Sequence, residues 1–278
     1  MPYKILALMI RLLVSSFCLC LVLLWGIDNT AIAQVKTPQF TEQQLRRGDK
    51  IARQAIDAVE KGNFKQAEGY WTQLIEEFPQ NPAVWSNRGN VRVSQHKIDD
   101  AIADFDRSID IAPQYPDAYL NRGIAYEGQR NWDLALADYE RVLKISPQDP
   151  VAYNNRGNAK AGQQKWQEAL VDYQKAVEIA PNFSLARANA ALVTYQIGDR
   201  ADAIRQLRNL VRKYPLFPDV RAALTAVLWV EGKQGEAESN WVATVGIDNR
   251  YQNIDWVANV RRWPPKMVEA LEQFLTLN

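Results

Sequence analysis

Residues 116–149 read PDAYLNRGIAYEGQRNWDLALADYERVLKISPQD, and residues 150–183 read PVAYNNRGNAKAGQQKWQEALVDYQKAVEIAPNF. The two stretches share Asn-Arg-Gly near the start, an Ala with an aromatic four places on, and a Pro near the end. The same register extends outward in both directions. Proline stands at Pro79, Pro113, Pro147, Pro181 and Pro215, each 34 residues after the last. Alanine keeps that step at Ala67, Ala101, Ala135, Ala169, Ala203 and Ala237, and a bulky apolar residue follows at Trp71, Phe105, Tyr139, Tyr173, Leu207 and Trp241. Small residues occupy Ala55, Gly89, Gly123, Gly157 and Ala191. A fixed period of this length marks a chain of stacked supersecondary units.

Each column has a packing role. The small residue lies on a first helix where a second helix crosses, so the two backbones approach closely. The recurrent Ala is the other half of that contact, and its bulky neighbour one turn later fills the space beside it. The proline closes the second helix and sets the turn into the next unit, as in Pro147-Gln148-Asp149-Pro150. A proline opening the next helix is tolerated because its missing N–H has no helical partner there.

With aromatics at Trp85, Tyr119 and Tyr153, these columns resemble the tetratricopeptide repeat (TPR). The resemblance implies an all-α, right-handed solenoid of six helix-turn-helix repeats: 48–81, 82–115, 116–149, 150–183 and the degenerate 184–217 and 218–251. In the last two, Arg187 and Arg221 stand in the aromatic column, and Asn249 replaces the sixth proline. Gln34 to Arg47 is polar and reads as a linker or a partial helix. Residues 252–278 form the C-terminal cap, in which Trp256, Val257, Val260, Val268, Leu271 and Phe274 cover the last repeat.

The fold also implies a scaffold that binds a protein or an extended peptide, in a concave groove lined by first helices. Asn87, Asn121, Asn155 and Asn189 recur at the sixth place, with Asn90 and Asn158 one turn further on. An amide offers an acceptor and two donors, enough to pair with both groups of a peptide backbone. The column resembles the asparagine ladder of the O-linked N-acetylglucosamine transferases. The competing reading is repeat consensus with the amides facing water. The two-carboxylate clamp of TPR co-chaperones is not expected: its places hold Ser86, Asn90, Asn121, Val151 and Asn155, with every cation absent. Arg88, Arg122 and Arg156 precede Asp104, Asp138 and Asp172 by 16 residues each, which predicts an ion pair inside each repeat.

Composition narrows the remaining classes. Lys plus Arg is 33 against 32 for Asp plus Glu, which gives no basic footprint for nucleic acid. His96, the one histidine, falls in the turn of repeat two, and the two cysteines, Cys18 and Cys20, fall in the N-terminal apolar run. No enzyme, metal site or cofactor is expected. Trp132 and Trp166 offer a carbohydrate platform or, more simply, inter-helix packing.

Residues 1–33 read as a signal peptide: Lys4 and Arg11, an apolar Leu12 to Ile27, then Ala31-Ile32-Ala33 before Gln34. The rival reading is an uncleaved anchor, for which the run is short. Either way the body is exported or membrane-anchored, its partner being a protein and its membrane contact the N-terminal segment. The signal segment, the Asn-Arg-Gly repeats and the tail Arg261 to Pro265 resemble thylakoid-associated TPR proteins, of the photosystem-assembly or protochlorophyllide-oxidoreductase-interacting type. That implies an assembly factor at the thylakoid; the alternative is a periplasmic adaptor for envelope assembly or secretion.

Overall fold

The computed structural model describes residues 40–277. The expected signal peptide or anchor lies outside them. Among the described residues every regular element is helical, and no helix is long and apolar enough to cross a membrane.

The chain divides after Gln80 into two compact units. The first holds α1 (Glu42–Glu60) and α2 (Phe64–Glu77). The first helix starts six residues before the repeat boundary at 48, inside the stretch read as linker. Its start is set locally by a capping box, in which Thr41 accepts from the Gln44 N–H and the Gln44 side chain accepts in return from the Thr41 N–H at 2.8 Å. Phe40 packs edge-on against Phe78, and Ala55, Ala67 and Trp71 are buried between the pair of helices.

The second compact unit carries five helix pairs: α3 (Pro82–Ser94) with α4 (Ile98–Ile111), α5 (Pro116–Gly128) with α6 (Trp132–Ile145), α7 (Pro150–Gly162) with α8 (Trp166–Ile179), α9 (Ser184–Gln196) with α10 (Arg200–Lys213), and α11 (Pro218–Val230) with α12 (Gln234–Ile247). A 3-10 turn (Asn249–Gln252), the short α13 (Ile254–Asn259) and α14 (Pro265–Leu277) follow. Among the described residues both units are thus built from the paired helices of the all-helical repeat fold that the sequence implies.

The glycine column meets the rings of the aromatic column most closely, and at Gly157 the Ala169 carbonyl oxygen as well, 3.2 Å from a built Cβ. A Cβ built on Gly89 would lie 2.6 Å from the Phe105 ring, one on Gly123 2.6 Å from Tyr139, and one on Gly157 2.7 Å from Tyr173. Those rings are almost wholly buried. In repeat five the ring gives way to the smaller Leu207, and the partner position holds Ala191 rather than Gly.

The turn inside every repeat places one residue in the left-handed region, at Gly62, His96, Arg130, Gln164, Gly198 and Gly232, with φ between 60° and 104°. The following N–H reaches back five residues, as in Lys97 to Arg92 (2.9 Å) and Asn131 to Tyr126 (2.9 Å), which is the Schellman closure of a helix. Three repeats use glycine there and three carry a Cβ. His96 is one of the latter, exposed in its turn as the sequence suggests.

The degenerate arginines also have a role. Tyr119 donates its hydroxyl to the Pro113 carbonyl at 3.3 Å. Arg187 donates Nε to the Pro181 carbonyl at 2.8 Å, and Arg221 to that of Pro215 at 2.7 Å. A guanidinium and a phenol six residues downstream of the column proline satisfy the same orphan carbonyl.

Candidate functional site

Arg88, Arg122 and Arg156 each grip the aspartate sixteen residues on, with Nε–Oδ2 distances of 2.9 Å and Nη2–Oδ1 distances of 2.6–2.7 Å. The fork geometry is bidentate. Asp104, Asp138 and Asp172 are buried, and each pair draws in a further charge: Arg92 to Asp104, Asp106 to Arg122 and Lys160 to Asp172. Each of the three guanidiniums also lies over the aromatic of its own repeat, at 5.1 Å from Trp85, 5.6 Å from Tyr119 and 5.3 Å from Tyr153. These residues tie first helix to second helix within a repeat.

The sixth-place asparagines differ in what they face. Asn87 is half-buried and Asn90 exposed. Asn121 donates to Ser86 Oγ (3.2 Å) in the preceding repeat, and Asn189 donates to Asn154 Oδ1 (3.0 Å) and Asn158 Oδ1 (3.2 Å). Asn158 accepts from the Tyr173 hydroxyl at 2.9 Å, and Asn155 is only 9% exposed and accepts from Asn154. The column therefore bridges repeats wherever the preceding fifth place is polar (Ser86, Asn154), and Asn155 is withdrawn from the face on which it was expected.

On the first helices, places two, six and nine fall on one side, since they are separated by four and three residues. In repeats two to four that side carries Asn87, Asn90, Asn121, Ile124, Val151 and Asn158, with Ala83, Asp117 and the buried Asn155 at the remaining places. Ile124 and Val151 are apolar yet 43% and 41% exposed.

The C-terminal region does more than cover the last repeat. Trp256 and Val268 are partly buried, and Val257, Leu271 and Phe274 are buried, against repeats five and six. Val260 is 62% exposed, a correction to its expected place in the cap. The reason is that α14 packs on the first helices of repeats five and six, while the segment before it returns along the same face toward repeat three. Buried Asp219 holds this segment: its Oδ1 accepts from the Tyr251 hydroxyl (2.6 Å), Arg261 Nε (3.1 Å) and Trp263 Nε1 (3.0 Å), and Arg261 Nη2 pairs with Oδ2 at 2.7 Å. The Lys266 N–H donates to Gln196 Oε1. Arg130 donates to Asn259 Oδ1 (3.0 Å), and Arg262 to Glu127 Oε1 (2.8 Å), a contact between residues 135 positions apart.

Between the returning segment and repeats three to five lies a cleft of about 430 Å³ lined by Glu127, Trp132, Asn158, Trp166, Asn189 and Arg262, among others. Trp132 lies against Gly162, where a Cβ would come within 2.7 Å of the indole, and Arg262 sits over it at 5.6 Å. Trp166 packs beside Tyr173. Both indoles are half-buried by protein, as inter-helix packing requires. Burial holds the Glu127 carboxyl above its ordinary range, opposed by Arg262 and by the Tyr139 hydroxyl. Burial likewise raises the Tyr139 phenol, and the Glu127 charge raises it further. Among the described residues no group of His, Cys, Asp and Glu is placed to hold a metal ion.

One tetratricopeptide-repeat family model matches residues 53–116 and 87–150, and a second such model matches 150–183. A chain of the APC/C hetero-tetramer Cut9-Hcn1 superposes with a TM-score of 0.67 at 16% identity, over 82% of this chain and 43% of that one. A thermophilic TPR protein of Thermus thermophilus gives 0.56 at 16% identity, over 66% and 99%. YrrB, a TPR protein with an unusual peptide-binding site, gives 0.50 at 19% identity, over 64% and 92%. At these identities the structures speak to the fold alone. A search of curated proteins returned no match. Register, helix pairing and family models agree that residues 53–183 are built of tetratricopeptide repeats.

Proposed function

We propose that this protein-interaction scaffold, non-catalytic in our reading, holds an extended segment of a partner protein on the first-helix face of repeats two to four. The observation that carries this is the pairing of open amides with exposed apolar side chains on one face: Asn87 and Asn90 beside Ile124 and Val151. Amides satisfy a peptide backbone, and scattered apolar contacts read its side chains. Repeats five and six are poor candidates, because α14 already covers their first helices.

The N-terminal segment supports action at or across a membrane, with the thylakoid as the leading compartment and an assembly factor as the role. The periplasmic adaptor is the second reading, favoured by the same segment if it is cleaved. The test is affinity capture from native membranes with the wild-type chain and the Asn90→Ala/Ile124→Ala variant, both exposed positions whose change leaves the core intact. A partner lost in the variant supports the face; a partner retained refutes it. Thylakoid fractionation against periplasmic recovery decides the compartment, and an N-terminus at Gln34 marks cleavage.

A further inference from the structure

The twelfth place of the first helix holds Val93, Glu127, Ala161, Tyr195 and Trp229 in repeats two to six. Four of the five are uncharged. Glu127 is therefore no part of the repeat register, and it is costly where it stands. Its side chain is 12% exposed, its own repeat supplies one hydroxyl (Tyr139, 3.0 Å), and its cation arrives from Arg262. A buried carboxylate without a cation is strongly unfavourable. The face thus contains a receptor for a guanidinium: a carboxylate with an indole, Trp132, at its side, filled in cis.

The cis arginine is held unlike its neighbours. Arg261 and Trp263 are both anchored on buried Asp219. Arg262 lies between them, adopts a left-handed φ of 55°, and keeps 36% of its side chain exposed. A non-glycine residue adopts that backbone at a cost, which the two flanking anchors impose. The Arg262 side chain can therefore swing away by rotamer change alone, while the segment stays latched through Asp219.

We propose that Glu127 and Trp132 form a receptor for an arginine of the partner segment, and that Arg262 is a tethered stand-in which that arginine replaces. This rests on the reading of the first-helix face as the binding surface and narrows the partner to a basic linear segment. The occupant's chemistry is given by what the site already holds, a guanidinium between carboxylate and indole in the sequence Asn259-Val260-Arg261-Arg262-Trp263-Pro264-Pro265. Asn158 lines the same cleft, its Oδ1 taken by Tyr173 and Asn189 and its Nδ2 offered to the partner's backbone.

The probe is a fluorescein-labelled synthetic peptide of that seven-residue sequence, with a control peptide in which both arginines are alanine. Binding is followed by anisotropy with the chain lacking residues 1–33, at low salt. Arg262→Ala empties the receptor and is expected to bind the arginine peptide at least tenfold more tightly than the wild type. The Glu127→Gln/Arg262→Ala double variant is expected to lose that gain, and the control peptide to show none. Equal binding by wild type and Arg262→Ala, or a gain that survives in the double variant, overturns the proposal. Glu127→Ala serves as a second lesion, since Ala161 shows that this register position accepts alanine. Should the double variant prove unfolded by circular dichroism, Glu127→Ala/Arg262→Ala gives the same decision. A negative peptide result together with a partner lost in Asn90→Ala/Ile124→Ala would remove the arginine receptor and leave the binding face standing.

Discussion

Repeats two to four and repeats five to six solve the same packing problem by different means. In the middle, each repeat closes on itself: a glycine against a buried ring, and an arginine forked onto a buried aspartate. Both partners of that pair vanish together in the last two repeats, where Ala190 faces the register of Gln206 and Leu224 that of Asn240. Their place is taken by one continuous apolar core running from Ala188 through Leu207, Leu224 and Leu228 into Met267, Leu271 and Phe274. The middle is a row of repeats each clamped internally and bridged to its neighbours by a few polar contacts, and the end is a fused block whose last helix is part of the core. A stack whose repeats contact only neighbours has energies that add repeat by repeat, whereas a fused end unfolds as one piece.

The difference can be broken at either side. The largest effect is expected at Phe274, fully buried with its ring 5.3 Å from Trp229 and 5.2 Å from Trp241. Phe274→Ala should cost about 3–5 kcal/mol. Hydrogen exchange should then show repeats five and six losing protection together while repeat three keeps its own. Arg122→Ala is expected to cost about 3 kcal/mol, since it leaves the buried Asp138 without its fork. Here the loss should stay within repeats two and three, which Arg122 joins through Asp106 and Asp138, in the same exchange experiment. Unchanged stability with weakened partner binding would instead make Arg122 a ligand-contacting residue.

Gly123→Ala sharpens the contrast at lower amplitude. Its Cβ must displace the buried Tyr139 ring, an overpacking of about 1–3 kcal/mol, whereas Ala191→Gly at the matching place of repeat five should cost only about 1 kcal/mol through helix propensity. Thermal melts of the two variants compare them directly. The smallest effect concerns pH. Arg262 opposes the rise of the Glu127 carboxyl above its ordinary value of 4.5. Removing Arg262 sends that carboxyl higher still, so the folded variant binds a proton more tightly than the unfolded chain does. Such a group favours folding below the unfolded value and loses that contribution as pH rises through the folded one. The destabilisation by Arg262→Ala should therefore be smaller near pH 4.5 than at pH 7.5 in urea unfolding curves.

The repeat architecture is legible because helix contacts in it are short-ranged and register-locked: glycine, ring, alanine and proline each recur where their contact recurs. The Arg–Asp pairs are legible for the same reason, a constant spacing on two columns. The start of α1 is written in Thr41-x-x-Gln44, a capping signature that outweighs the polar composition around it. The asparagine column misleads in part, because the residue deciding each amide's partner stands one place earlier in the preceding repeat. Ser86 and Asn154 accept there, and Leu120 has nothing to offer Asn155. The return of Arg262 to Glu127 escapes altogether, since periodicity describes neighbours and this contact spans 135 positions. A carboxylate in a column otherwise holding Val, Ala, Tyr and Trp is the one available signal.

That span has a consequence in time. A growing chain is made at about 5–20 residues per second, so roughly 7–27 s separate the synthesis of Glu127 from that of Arg262. Repeats two to four have their helices and their internal clamps well before that interval ends. Through it the nascent repeats display an uncovered carboxylate beside Trp132, and only the arrival of Arg262 closes it. A helper bearing an exposed arginine would thus meet the receptor without a rival during this interval, and only in competition with Arg262 afterwards.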